Sequence, residues 1–344
     1  MTPKAPDSGW AAVRANAEGA PITCVVFRDG QEAPAPNDLT DISEILKEQG
    51  KLVWFDVVDP GPDDLALLQA EFGLHPLAVE DAVVAHQRPK IEQYESYWFL
   101  VVHATTVDGD AITFHEIDIF VGANFLVTVR HSPTYPLKEI EQRWRLHPGE
   151  LRKGAGFLLY TILDTIVDGY IPVAETLQDR VDDLEEGLFE QDPLQRHVLR
   201  QIFAMKKDSQ RFRRVALPMR EMLTPLTRQD IPLFSHDESL YFRDVYDHAI
   251  LVIDQLDAMR DLVNSALEIH LSVVANRQNE VAKQLTVIAT IFLPLSFVVG
   301  FFGQNFEWMV ARIGGGTTFW LLGIGSEVVA VLLTLIFFRA RGWF

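Results

Sequence analysis

Leu285 to Phe302 reads LTVIATIFLPLSFVVGFF. No charged residue interrupts it, and its length falls within the roughly 17–25 residues that a helix needs to cross hydrocarbon, so it reads as a membrane span. A second apolar run, Phe319 to Phe338, follows after a short loop. Two spans so close together form a helical hairpin, because backbone polar groups in lipid must be bonded within their own helix. Everything upstream then lies on one side. Arg339 and Arg341 flank the exit of the second span, and Lys283, Arg277 and Arg260 precede the first, whereas the loop between the spans carries only Arg312. That bias predicts a multi-pass protein of the inner (plasma) membrane with both termini in the cytoplasm.

Stepping by threes and fours through the first span gives Asn279, Ala282, Thr286, Ala289, Leu293, Ser296 and Gly300, while bulky residues such as Ile288, Phe292 and Phe297 fall elsewhere. A small, polar face suits either close helix packing or a pore wall. The same spacing continues backwards through Ala275, Ser272, Glu268, Ser265, Asp261 and Ala258. A dry seam would stay apolar there, whereas a funnel for cations gains hydroxyls and carboxylates, as this line does. A solvated outer face is the plainer explanation for that soluble portion.

Upstream, Glu238 to Phe302 has no breaker but Pro294 and would run on the order of 95 Å as a helix, too long for a compact core and suited to a stalk. Its apolar positions Val252, Leu256, Met259, Val263 and Ala266 form a seam that suits packing against copies of itself. One hairpin cannot enclose a pore, so several copies are expected in a closed ring, with first spans innermost.

The soluble part begins with alternation. Ile22–Phe27, Lys51–Val57, Tyr97–Thr105, Ile112–Val121 and Asn124–Arg130 read as strands, and Ile42–Gln49, Asp63–Phe72 and His75–Val84 as short helices between them. Tyr135–Leu146, Gly154–Phe189 and Pro193–Val215 read as helices, with breaks near Gln191 to Pro193 and at Pro218, Pro225 and Pro232. The fold class is α+β: a cytosolic α/β domain over 21–133, a helical region over 134–236, a stalk helix over 237–284 and a membrane hairpin of spans 285–303 and 318–338 around an external loop 304–317. A basic tail follows at 339–344, and residues 1–20, which lack a signal-peptide pattern, read as a flexible tail.

The net charge of −18 repels nucleic acid and attracts cations. Cys24 is the single cysteine, which excludes an internal disulfide framework. The sequence holds no glycine-rich phosphate loop and no recognisable nucleophile with its base, so no enzyme activity and no cofactor are expected. Ten histidines lack the close i, i+4 pairing of a helical zinc site; His270, beside the funnel stripe, is a weak candidate for zinc.

The first span runs straight into Gly303-Gln304-Asn305, and the stretch NRQNEVAKQLTVIATIFLPLSFVVGFFGQNFEWM resembles the CorA family of magnesium and cobalt transporters. HPLAVEDAVVAHQRPKIEQYESYWF and YFRDVYDH look like the same family, so the likeness covers the chain from about Pro21 onward. It implies a divalent-cation channel, homopentameric, with Mg²⁺ as both transported and regulatory ion. Gly303, Gln304 and Asn305 would form the selectivity filter, whose amide and backbone carbonyls suit a hydrated ion; Asn305 is also a common residue at helix ends. Leu285 and Leu293, the large apolar residues on or beside the stripe, are gate candidates. Asp81 and Asp244 fall where the resemblance implies a metal site between one protomer's domain and the next protomer's stalk, with Glu80 and Asp247 nearby; ordinary salt bridges to Arg243 are the alternative. The middle residue of the motif is commonly Met, and Gln304 adds an amide there; beyond it, Glu307 is the acidic residue left at the mouth. Zinc-transporting relatives also vary the middle residue. With Glu327 inside the second span, a proton-coupled Zn²⁺ transporter on the same fold is the second expectation, although Glu327 bonded to Thr290 or Ser296 of the first span is the plainer role. A scaffold or enzyme merely anchored by the hairpin has no reason to place Asn, Thr and Ser on one face.

Overall fold

The computed structural model describes residues 21–84, 87–109, 111–131, 135–190, 196–228, 231–304, 306–313 and 315–342. The chain divides into two units, residues up to 191 with 195–266, and residues 192–194 with 267–344.

The first unit is built on a seven-stranded sheet of β1 (Ile22–Arg28), β2 (Gln31–Ala33), β3 (Lys51–Val58), β4 (Lys90–Gln93), β5 (Tyr97–Asp108), β6 (Ala111–Gly122) and β7 (Phe125–Arg130), in the order β2-β1-β3-β7-β6-β5-β4. β3 and β7 pair in parallel; the other neighbours are antiparallel. The five strands expected from alternation are present. β2 and β4 were not legible because short, polar edge strands carry no apolar period. Asp29 and Gly30 turn β1 into β2 with φ of 51° and 79°, the two left-handed residues that a tight hairpin turn needs. A side chain at Gly30 would also collide with the Pro148 carbonyl.

α1 (Ile42–Leu46), α2 (Pro62–Phe72) and α3 (Pro76–Asp81) cover one sheet face, where Val53, Phe55, Val57, Phe99, Val101, Phe120, Val127 and Val129 meet Leu68, Phe72 and Val79. α2 begins on Pro62, with the Asp64 carboxylate accepting from Gly61 N–H at 2.9 Å, and ends at Gly73 in the left-handed conformation. Cys24 belongs to this core, and burial pushes its thiol up to about 12, which keeps it unreactive.

α4 (Lys138–Leu146), α5 (Pro148–Leu151), α6 (Gly156–Asp168) and α7 (Tyr170–Glu190) follow. Trp144 of α4 meets Trp54 of β3 edge-on at 4.8 Å, and the Tyr170 hydroxyl donates to the His103 carbonyl at 2.6 Å. β3 is therefore buried on both sides, which explains its nearly continuous apolar sequence. The single helix expected over Gly154–Phe189 is two, divided at Gly169. Its apolar stretch is long enough to cross a membrane, but two thirds of it (67%) is buried inside the protein.

α8 (Arg196–Thr227) corrects an expectation, because it runs on through Pro218 and Pro225. Each proline removes one helix hydrogen bond, yet burial of Ala216, Met219, Met222, Leu223 and Leu226 holds that segment helical. α9 (His236–Phe302) starts at a capping box in which Ser235 and Glu238 bond each other's backbone N–H, and it continues unbroken for 67 residues through Pro294.

In the second unit α9 ends at Phe302. The expected external loop contains α10 (Glu307–Ile313), a second correction: EWMVARI puts Glu307 at the helix start and Arg312 in its last turn, both favoured by the helix dipole. α11 (Gly316–Thr318), a wider π turn over Phe319–Ile324 and α12 (Gly325–Ala340) form the second apolar segment, Gly316–Ala340. Its apolar side chains, such as Leu321, Leu333 and Ile336, are more than half exposed, as are Phe292 and Phe297 on α9. Such a surface is stable in lipid, not in water.

Candidate functional site

Because α9 is unbroken, steps of three and four residues keep Asn279, Ala282, Thr286, Ala289, Leu293, Ser296 and Gly300 on one face. All seven are exposed, as is Leu285. The half-buried residues Val287, Ile291, Leu295 and Val298 lie on the other side. Val298, Phe302 and Gly303 line a cavity of about 330 Å³ together with Phe319, Gly323 and Glu327 of the second span. Within the chain, then, Val287, Ile291, Leu295 and Val298 turn inward, while the small, polar face stays exposed, as do the bulky Ile288, Phe292 and Phe297. The Thr286 hydroxyl donates to the Ala282 carbonyl and that of Thr290 to Thr286, both at 2.8 Å. Thr290 is thus engaged along its own helix, and no hydrogen bond from Glu327 to Thr290 or Ser296 occurs among the described residues.

At the span's end, Gly303 N–H donates to the Val299 carbonyl at 2.9 Å, and Gln304 N–H to Phe301 at 3.4 Å. A side chain at Gly303 would approach the Val299 carbonyl to 3.0 Å, so the turn favours glycine. Asn305 lies outside the described residues.

Further up α9, Ala258, Asp261, Ser265, Glu268, Ser272 and Ala275 are exposed, and Asp261 is bonded by its neighbour Arg260 at 3.1 Å. The seam of Val252, Leu256, Met259, Val263 and Ala266 is buried within this same chain, which corrects the expectation that it packs against copies. α8 supplies part of the covering, through Arg213 to Asp257 at 2.9 Å and Lys206 to Asn264 at 3.3 Å. A seam at helical spacing does not say whose helix fills it. His270 is buried and joins no group of metal-ligating side chains among the described residues.

Asp81 ends α3 and accepts from Lys90 Nζ at 2.6 Å, so it is not unpartnered as expected. Glu80 is exposed beside it. Asp244 and Asp247 are exposed on α9, and Arg243 forms no ion pair with them among the described residues. Asp244 has acidic company that sequence reading missed. Asp164 and Asp168 of α6 bring carboxylate oxygens within 4.8 Å of each other and of His248 on α9, whose Nδ1 lies 2.9 Å from Asp168 Oδ1. Burial pushes the Asp164 carboxyl above its ordinary range, and the charges of Asp168 and Asp244 push the same way against Arg143 at 2.7 Å. The signal was two i, i+4 pairs, Asp164 with Asp168 and Asp244 with His248, on helices far apart in sequence. Such a group can hold a hydrated divalent ion.

The CorA-like Mg²⁺ transporter family model matches residues 49–340. The cobalt/magnesium transport protein CorA of Thermotoga maritima is 33% identical over 311 residues, 88% of this chain and 87% of that protein. The zinc transport protein ZntB of Yersinia enterocolitica is 24% identical over 293 residues, covering 84% of this chain and 85% of the relative. Among solved structures, the CorA magnesium transporter of Methanocaldococcus jannaschii superposes with a TM-score of 0.74 at 24% identity over 93% of this chain and 98% of that one, which shows a shared fold. An α/β unit, an unbroken 67-residue helix and two lipid-suited spans therefore meet a family match over most of the chain: the protein is a membrane transporter of divalent metal ions, not an enzyme, and belongs to the CorA family.

Proposed function

We propose that the protein admits Mg²⁺ to the cytoplasm through a pore at the axis of a homo-oligomer, a pentamer, with both termini cytoplasmic. The observation that carries this reading is the exposed face of α9, where small and polar residues in the membrane continue into Asp261 and Glu268. Small and polar residues left exposed in a membrane span suit the wall of a pore between copies of the chain, whereas the exposed Ile288, Phe292 and Phe297 suit lipid or a neighbouring helix. Asn305 rings, with Gly303 and Gln304 carbonyls, bind the hydrated ion; rings of Leu285 and Leu293 close the path by dewetting. Bound Mg²⁺ at Asp81 of one protomer and Asp244 of the next, with Glu80, Asp247, Asp164, Asp168 and His248 around them, holds the closed state. The relatives named for cobalt and magnesium support the ion class.

A second reading, proton-coupled Zn²⁺ transport, is favoured by Glu327 lining a cavity beside Gly303 and by the zinc-transporting relative. Flux of Mg²⁺, Co²⁺, Ni²⁺ and Zn²⁺ into proteoliposomes, with and without a pH gradient, tests both. Mg²⁺ entry that ignores the gradient supports the channel; Zn²⁺ entry that follows the gradient, without Mg²⁺ entry, replaces it.

A further inference from the structure

The sheet face that packs against α2 and α3 does not stay apolar to its end. Register sets Asp118 of β6 beside Val101 and Val129, and Glu116 beside His103. Glu116, Asp118 and His131 each bring a ligating atom within 4.8 Å of the others. Asp118 is 0% exposed and neither of its carboxylate oxygens accepts a hydrogen bond. His131 Nε2 stands 3.3 Å from Asp118 Oδ2, an ion-pair distance without hydrogen-bond geometry. Gln87 N–H donates to Glu116 Oε2 at 3.1 Å, which holds that carboxylate in place beside Asp118. An imidazole nitrogen turned onto two carboxylates is placed to share an ion with them.

The two carboxylates face two imidazoles, His131 Nε2 at 3.3 Å from Asp118 Oδ2 and His103 Nε2 at 3.6 Å from Glu116 Oε2, while Lys90 is committed to Asp81 at 2.6 Å and Glu92 at 2.9 Å. We propose that Glu116, Asp118 and His131 form a resident divalent-cation site, separate from the ion pathway, that takes a first-row transition ion such as Zn²⁺ or Co²⁺ in preference to Mg²⁺. The imidazole decides the preference, since Mg²⁺ favours oxygen ligands alone and Zn²⁺ and Co²⁺ accept nitrogen readily. Three protein ligands leave a position for water. Gln87 and His103, the two residues that contact Glu116, also line a cavity of about 620 Å³ together with Arg88, Arg213 and Arg214.

The test uses the full chain in detergent, stripped with EDTA, given Zn²⁺ or Co²⁺ in excess Mg²⁺ and then desalted. Wild type should retain one more transition ion per chain than His131→Gln or Asp118→Asn. The variants should bind it at least about 10–100-fold more weakly, the usual cost of losing even an outer partner. Zn²⁺ should raise the unfolding temperature of wild type and of neither variant. Asp118→Asn removes a buried charge at nearly constant shape, so without metal it should unfold no earlier than wild type. Co²⁺ flux into liposomes should match wild type, which separates this site from the pathway. Equal metal content and an equal Zn²⁺-induced shift in wild type and Asp118→Asn would overturn the proposal and leave a proton, not a metal, on Asp118.

Discussion

Arg130 reaches from the end of β7 to both oxygens of Asp56 on β3, whose Oδ1 also accepts from the Thr128 hydroxyl at 2.6 Å; Trp54 Nε1 in turn donates to Thr128 at 3.2 Å. Asp56 is 2% exposed, so removing it strands a guanidinium that cannot reach water easily. Asp56→Ala should cost about 3–5 kcal/mol, read by denaturant unfolding of the detergent-solubilised chain, and a loss below about 1 kcal/mol would show the pair to be solvated. None of this was legible in the sequence, because the parallel pairing of β3 with β7 joins residues more than seventy positions apart. Asn305 is the opposite case: the filter role proposed for it comes from the motif it closes and from the acceptor chemistry of an amide, and the residue lies outside those described. Asn305→Ala takes acceptors from the filter without adding bulk, so Mg²⁺ uptake should fall to background while the oligomer survives gel filtration. An assembled variant that transports at the wild-type rate would remove Asn305 from the filter.

Elements were legible where a period or a cap was strong. The 67-residue α9 announced itself by the absence of breakers, and its Ser235-x-x-Glu238 capping box sits in plain view two residues before the expected start. The failures have a common cause in packing that local chemistry does not encode. Pro218 and Pro225 ought to end α8, and burial overrides them; the buried seam of α9 ought to face copies, and α8 fills part of it. The proposed gate belongs to the span, whose small, polar stripe is exposed within the chain. Leu285 and Leu293 are 66% and 77% exposed there, large and apolar amid small or polar residues. If rings of them exclude water and internal Mg²⁺ closes the pore as proposed, Leu285→Asn should let Mg²⁺ leak into vesicles even at high internal Mg²⁺, with wild-type flux low. Flux as low as wild type would place the constriction elsewhere on the helix.

For the whole molecule, the order of an α/β domain, helices, a stalk and two spans was legible from apolar periods alone. The site proposed between domain and stalk was legible only in part, since Asp81 and Asp244 came from the family likeness and Asp164, Asp168 and His248 from tertiary structure. Their arrangement bears on regulation. Burial first, and then the charges of Asp168 and Asp244, push the Asp164 carboxyl up, so these carboxylates repel one another even with Arg143 at 2.7 Å from Asp164. Asp81 has Lys90, but Asp244 and Asp247 are exposed and Arg243 forms no ion pair with them among the described residues. Mg²⁺ bound between protomers would relieve that repulsion and hold the stalks together; falling cytosolic Mg²⁺ would free them to part. A fixed cation at position 244 should imitate the bound ion. Asp244→Lys, alone or with Asp81→Lys, is therefore expected to resist protease without Mg²⁺, whereas wild type resists it only when Mg²⁺ is present. Flux of Mg²⁺ in the same variant should be low at all internal concentrations, as for a channel held shut. If protection in both proteins follows Mg²⁺ over the same concentration range, the carboxylates at 81 and 244 do not sense the ion, and closure must be set elsewhere along α9.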